Sequence, residues 1–271
     1  MSGPASSAQC AEEPLITEVA EGIAWLTLNR PAAGNAIDLA MARALVEASI
    51  RCQTDTAIRC VVLTGAGRLF CAGGDVGTFA SAGDQAPALL SELAGTLHMA
   101  LARFARMPKP MLVLVNGPAA GAGCGLAIAG DVVLAARSAH FTAAYGALGL
   151  TPDGGLSWLL PRLIGLRKAQ EIIFTNRRIN ADEAEAIGMI TRTVDDEVLY
   201  EEGRQTASRL AAAAVCAVGA TRALLQEGYS SGFETQLERE VRAISTAGAS
   251  AEFREGLAAI LARRTPDFRG V

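Results

Sequence analysis

The chain has 271 residues, 51% of them hydrophobic, enough for one sizeable core or for a core domain with a helical appendage. A net charge of −4 and a pI near 5.4 exclude the basic footprint of a nucleic-acid binder, and no uncharged apolar run reaches the ~18 residues that suggest a membrane span. Six scattered cysteines (Cys10, Cys52, Cys60, Cys71, Cys124, Cys216) form no CxxC pair, and there are only two histidines. That pattern predicts no disulfide framework, no metal and a reducing, cytoplasmic setting.

Residues 1–13 are rich in Ser, Ala, Gly and Pro and end in two acids. They lack the basic start and apolar centre of a signal peptide and are expected to be a disordered lead-in. Two apolar runs, 15–20 and 23–28, flank Glu21-Gly22 and predict a hairpin. Asp38 is placed to cap a helix to about Cys52, with Leu39, Ala42, Leu45, Val46 and Ser49 on one face. A buried strand is expected over 58–64, then a loop, then a long helix opened by Pro87 and ending near Arg106. Strands at 111–115, 132–135 and 141–143 follow, with a helix at about 121–129 after the first of them. Alternating strands and helices predict an α/β core over 14–195. Beyond it the pattern is helical, with candidates at 196–212, 215–229, 232–247 and 250–263.

Two small-residue turns stand out. Phe70-Cys71-Ala72-Gly73-Gly74-Asp75 follows the strand ending at Thr64, and Asn116-Gly117-Pro118-Ala119-Ala120-Gly121-Ala122-Gly123-Cys124-Gly125 joins the strand 111–115 to a helix. Small residues let a ligand approach the backbone, and the first N–H groups of a helix lack internal partners. Two such turns together suggest a two-donor oxyanion hole for a thioester carbonyl. Taken singly, each is also an ordinary tight turn between packed elements.

The ordered set of motifs resembles the crotonase (enoyl-CoA hydratase/isomerase) superfamily. It comprises Leu28-Asn29-Arg30-Pro31 with Asn35-Ala36, the two turns, Gly130-Asp131, Ala135-Ala136-Arg137-Ser138-Ala139-His140-Phe141, Gly149-Leu150-Thr151-Pro152-Asp153-Gly154-Gly155 and Leu160-Pro161-Arg162-Leu163-Ile164-Gly165, with Ala181-Asp182-Glu183-Ala184 and Gly188-Met189-Ile190 beyond them. Residues 149–162 most resemble the branch holding ring-1,2-epoxyphenylacetyl-CoA isomerases. The resemblance implies a spiral of ββα units with a helical C-terminal trimerisation region, assembled as a homotrimer or a dimer of trimers. It implies an acyl-CoA thioester substrate, with coenzyme A part of that substrate and no separate cofactor, and neither nucleic acid nor membrane as partner.

It places the oxyanion donors on Gly74 and Ala122 and the acid/base on Asp153. The two glutamates of a hydratase fall on Gly125 and Tyr145, neither a carboxylate. One carboxylate suffices for a proton shift through an enolate, so a double-bond isomerase is favoured. Hydration of a 2-enoyl-CoA, a dehalogenase- or hydrolase-like reaction using Asp153 with His98, and CoA-ester binding without turnover are the alternatives. Thr151-Pro152-Asp153-Gly154-Gly155 is also a sound turn sequence, and His98 sits in an ordinary amphipathic helix pattern. For the CoA moiety the resemblance points to Arg30 and the Ala32 to Ala36 loop, to Ala72 through its carbonyl, and to Arg263 reaching a neighbour's ligand. Gly73, Asp75, Val76 and Gly121 lie beside the oxyanion turns, Asp75 also being a good helix cap, and Trp158 and Tyr145 are expected to line the acyl pocket.

Overall fold

Glu21 and Gly22 close the first hairpin, both with positive φ (53° and 77°), as a two-residue turn of the favoured twist requires. The flanking strands β1 (Leu15–Ala20) and β2 (Ile23–Leu28) pair antiparallel, Leu15 opposite Leu28 and Ala20 opposite Ile23. The computed structural model describes residues 13–271, so the lead-in expected over 1–13 lies, apart from Glu13, outside the described residues.

Helix α1 (Leu39–Thr54) starts where the Asp38 carboxylate accepts the Met41 N–H at 2.8 Å. It buries Met41, Ala42, Leu45, Ala48, Ser49 and Cys52. The apolar stripe is therefore rotated from the expected one, with Leu39 and Val46 half-buried at its edge. After β3 (Cys60–Gly65) the expected loop is interrupted by α2 (Val76–Ala82), because the Asp75 side chain accepts the Thr78 N–H and caps it. Pro87 stands in the first turn of α3 (Ala86–Arg106), where its missing N–H costs nothing.

The chain continues through β4 (Met111–Val115), β5 (Ala119–Ala120), α4 (Ala122–Ala127), β6 (Val132–Ala136) and β7 (His140–Thr142). Helices α5 (Leu156–Ile164) and α6 (Leu166–Thr175), strand β8 (Ile179–Asn180), α7 (Ala181–Ala186) and β9 (Arg192–Val194) follow. The two- and three-residue strands among these carry too few side chains to show a period. Helices α8 (Leu199–Ala212), α9 (Val215–Gly228), α10 (Phe233–Gly248) and α11 (Ala251–Leu261) fill the predicted helical region.

Six strands form one sheet in the order β1-β2-β3-β4-β6-β9, parallel except for β1 against β2. A small sheet, β5-β7-β8, lies beside it. Strands β3 and β4 are buried along their whole length, which explains their unbroken apolar sequence. Arg222 of α9 bolts the helical region to this core. It pairs with Asp131 and donates to the carbonyls of Phe104, Met107 and Lys109 at 3.1, 2.6 and 2.7 Å. Among the described residues no single helix is long and apolar enough to cross a membrane.

Candidate active site

The two glycine turns lie against each other. The Ala120 N–H donates to the Cys71 carbonyl at 2.9 Å, and the Phe70 N–H donates to Pro118 at 3.1 Å. The approach is close enough that a Cβ on Gly123 would stand 2.4 Å from the Cys71 carbonyl oxygen, so only glycine fits there. Asn35 and Asn116 brace the loop before Phe70. Asn35 Nδ2 donates to the carbonyls of Ala66 and Leu69, and Asn116 Nδ2 to that of Gly67. Burial pushes the Cys71 and Cys124 thiols in these turns up to about 12, which keeps them neutral packing groups.

Within the first turn, Gly73 gives its carbonyl to the Ile37 N–H and Asp75 gives its N–H to the Ile37 carbonyl. The Gly74 N–H between them has no acceptor among the described residues. In the second turn the Gly121 N–H is taken by the Thr142 carbonyl, whereas the Ala122 N–H at the head of α4 has none. Gly74 and Ala122 both line one cavity of about 520 Å³, and Ala72, Val76, Gly121, Tyr145 and Asp153 share it. Two residues with unpaired backbone N–H groups and one carboxylate residue therefore line a common space.

Apart from Asp153, Tyr145, Ser91 and Thr151, the side chains around that space are apolar. Ile37, Phe79 of α2, Leu93 and Leu97 of α3, and Leu148 and Leu150 supply walls that the motifs alone did not single out. The signal was present for α3, whose buried face carries Leu93, Leu97 and Ala100 at helical spacing. Phe79 was hidden by the expected loop. Its ring fills the place of a side chain at position 74, since a Cβ on Gly74 would meet Cζ at 2.6 Å.

Tyr145 is buried, and its hydroxyl donates to Asp153 Oδ1 at 2.7 Å. Burial first, and the adjoining Asp153 carboxylate second, push its phenol well above the ordinary value. Tyr145 is thus a fixed donor to Asp153 and not a base. The Ala144 backbone ahead of it is left-handed (φ 63°), with its N–H held by Asn176 Oδ1 at 2.6 Å.

Other predicted residues sit elsewhere. Trp158 does not line the acyl cavity. It is 46% exposed, stacks under the Arg162 guanidinium at 3.9 Å, and faces a second cavity of about 430 Å³ on the far side of the Asp153-Gly154 turn. The physical reason is that α5 begins after the Gly154-Gly155 turn and carries Trp158 outward, burying Leu156 and Leu160 instead. His98 faces the same second cavity, with Nε2 accepting the Gly154 N–H at 3.1 Å. Arg30 is spent on ion pairs with Asp38 (3.2 Å) and Asp75 (3.1 Å) and on the Ala36 carbonyl, leaving Asp75 both a helix cap and an anchor. Gly73 is buried in the first turn and Ala36 in the loop before α1, Ala32 is exposed on that same loop, and Arg263 is exposed just past α11.

Gly125 has a partner of its own. A Cβ at this position would stand 2.5 Å from the Gly154 carbonyl oxygen, so the turn bearing Asp153 occupies the space that a larger residue would need.

Comparison with known proteins places the chain in a family. The family model described as enoyl-CoA hydratase/isomerase matches residues 18–271. The chain is 39% identical over 259 residues to the 1,2-epoxyphenylacetyl-CoA isomerase of Escherichia coli (strain K12), covering 95% of this chain and 99% of the relative. It is 33% identical over 260 residues to the 2,3-dehydroadipyl-CoA hydratase of the same organism, covering 94% and 98%. The crystal structure of an enoyl-CoA hydratase from Polaromonas sp. JS666 superposes with a TM-score of 0.89 at 32% identity, over 93% of this chain and 98% of that one. On sequence and fold, the chain belongs to the enoyl-CoA hydratase/isomerase (crotonase) family of acyl-CoA enzymes.

Proposed function

We propose that the protein moves a carbon–carbon double bond along the acyl chain of a CoA thioester. Asp153 takes a proton from the carbon next to the thioester, and the C–H electron pair passes into the carbonyl to give an enolate. The Gly74 and Ala122 N–H groups hold the negative oxygen, each donor of this kind supplying roughly 3–4 kcal/mol. In a 3-enoyl substrate the enolate is conjugated. Protonation by Asp153 two carbons further on, with collapse of the enolate, gives the 2-enoyl product. The Tyr145 hydroxyl keeps Asp153 aimed into the cavity.

The observation that carries this reading is that Asp153 is the single carboxylate lining the acyl cavity among the described residues. The Gly154 carbonyl stands against Gly125, where a second one would be needed to position water. Relatives carry both isomerase and hydratase names, so activity has to decide. Wild type and Asp153→Asn are to be offered 3-enoyl- and 2-enoyl-CoA, with isomerisation and hydration both followed. Isomerisation abolished in the variant supports the reading. An unchanged rate removes Asp153 from the mechanism, and wild-type hydration faster than isomerisation replaces the isomerase reading with a hydratase.

The remaining assignments join this proposal. Ala72 accepts the CoA adenine through its carbonyl beside the cavity, and Arg30 shapes that region by holding Asp38 and Asp75 together. The assembly is a trimer or a pair of trimers. It is supported by the exposed apolar row Phe233, Leu237, Val241 and Ile244 on α10, and it brings Arg263 to a neighbour's CoA. The setting is cytoplasmic.

A further inference from the structure

We propose that His98 is a positioning residue that fixes the turn between the base and the oxyanion donor. The inference rests on the reading of Asp153 as the acid/base. Gly154 and Gly155 both have positive φ (60° and 78°), and glycine has little intrinsic preference among such conformations. The turn is therefore set by what it touches. Its carbonyl stands on Gly125, and a Cβ at Gly154 would lie 3.4 Å from the Ala122 Cα, so Gly154 packs directly on the oxyanion residue. Its one N–H is donated to His98 Nε2 at 3.1 Å. A single imidazole thus pins from behind the residue that follows Asp153 and leans on Ala122.

The bond has a definite protonation requirement. Gly154 supplies the hydrogen, so Nε2 must offer a lone pair and the ring proton must sit on Nδ1. An imidazolium would set N–H against N–H and release the turn. The titratable and charged groups around His98 are few. Asp153 lies across the turn, and Asp131 and Arg222, from the segment before β6 and from α9, are paired with each other. On α3 its neighbours one turn away are Ala94, Gly95, Leu101 and Ala102, and α5 presents Ser157, Trp158 and Leu159. The other histidine provides a contrast. Arg178 donates to His140 Nδ1 at 2.7 Å, and a guanidinium cannot accept, so His140 carries its proton on Nε2.

Nitrogen-15 spectra of the imidazoles test this in the resting protein, with His140→Asn assigning the pair. The expected result is opposite tautomers, Nδ1–H at His98 and Nε2–H at His140. Nε2–H at His98 overturns the proposal. Kinetics give a second readout. His98→Ala is expected to lower kcat about 10- to 100-fold, in line with the cost of misplacing a catalytic group by about 1 Å, with KM within about twofold. His98→Gln, whose Oε1 reaches the place of Nε2, is expected to recover kcat to within about threefold. Where Asp153→Asn is inactive, a His98→Ala kcat within about twofold of wild type overturns the positioning role alone. Equal losses in the Ala and Gln variants overturn it too, because a packing role would not discriminate between an acceptor and none.

Discussion

Gly125→Ala is the smallest change that reaches the turn bearing the proposed base without touching Asp153 itself. The added methyl would sit 2.5 Å from the Gly154 oxygen and 3.2 Å from its carbonyl carbon. Ordinary contact begins near 3.4 Å, so the carbonyl must withdraw by about 0.9 Å. Its neighbour is backbone and not the end of a flexible side chain, so the movement passes to Asp153 on one side and to the Ala122 contact on the other. Overpacking of this kind costs about 1–3 kcal/mol, partly offset by about 1 kcal/mol from replacing glycine inside α4. The fold therefore survives, with a net loss of about 0–2 kcal/mol by denaturant unfolding. Displacing the base by about 1 Å is worth roughly 100-fold in rate. The assay is isomerisation of 3-enoyl-CoA, with kcat and KM separated and CoA-ester affinity measured alongside. A folded Gly125→Ala enzyme with wild-type kcat would refute the idea that the Gly154 turn sets the base. The same geometry predicts that Gly125→Glu destabilises the protein and does not convert it to a hydratase.

Three further outcomes follow from contacts already described. Tyr145→Phe removes the hydroxyl that holds Asp153 Oδ1 at 2.7 Å. A hydrogen bond to a charged group is worth about 1.5–3 kcal/mol, so kcat is expected to fall by at least tenfold with the fold intact by circular dichroism. Arg222→Ala leaves Asp131 without its partner and three carbonyls without donors. Loss of a buried pair's one member costs about 3–5 kcal/mol, read as a drop in unfolding free energy without change at the acyl cavity. Asp75→Ala tests the α2 cap through pH. Burial alone would raise the Asp75 carboxyl, but the Thr78 amide and the Arg30 guanidinium outweigh it and hold it below the usual range. Its contribution is thus present above the unfolded value of about 3.9 and is lost as pH falls through the folded one. The variant should be about 1 kcal/mol less stable near neutrality and show a flatter acid limb of stability between pH 5 and 3.

The hairpin at Glu21-Gly22, the buried strands β3 and β4 and the four C-terminal helices were legible because each states a strong local preference. The two glycine turns were legible for the same reason, since Gly73-Gly74 and Gly121-Ala122-Gly123 leave room for little else. What the linear pattern did not carry was the packing of one turn on another. Nothing local in Gly125 says that its missing side chain is filled by the Gly154 carbonyl, and nothing local in Leu97-His98-Met99 says which nitrogen faces the turn. Trp158 illustrates the converse. Its size suggested a pocket wall, but side-chain size does not report direction, and the start of α5 at Leu156 turned it to the other cavity. Asp75 and Arg30 were legible as useful charges but not as partners, because 45 residues separate them.

On the proposed reading, one acid in this cavity moves a proton in preference to adding water. An enolate held by the Gly74 and Ala122 amides can be quenched by a proton at carbon or preceded by attack of a hydroxyl at the neighbouring carbon. The second route needs a water held and activated close to the chain, which takes polar groups with free lone pairs. Along this cavity the Asp153 and Tyr145 side chains are bonded to each other, and Ser91 and Thr151 add hydroxyls to the wall. Tyr145, raised far above its ordinary range, has its one proton committed to Asp153 and cannot take another from water. A proton accepted by Asp153 then has the acyl chain as its nearest recipient, among walls formed by Ile37, Phe79, Leu93 and Leu97. On the proposed reading the oxyanion hole serves both outcomes alike, and the two are separated by the space above Gly125, which backbone fills in place of a second carboxylate.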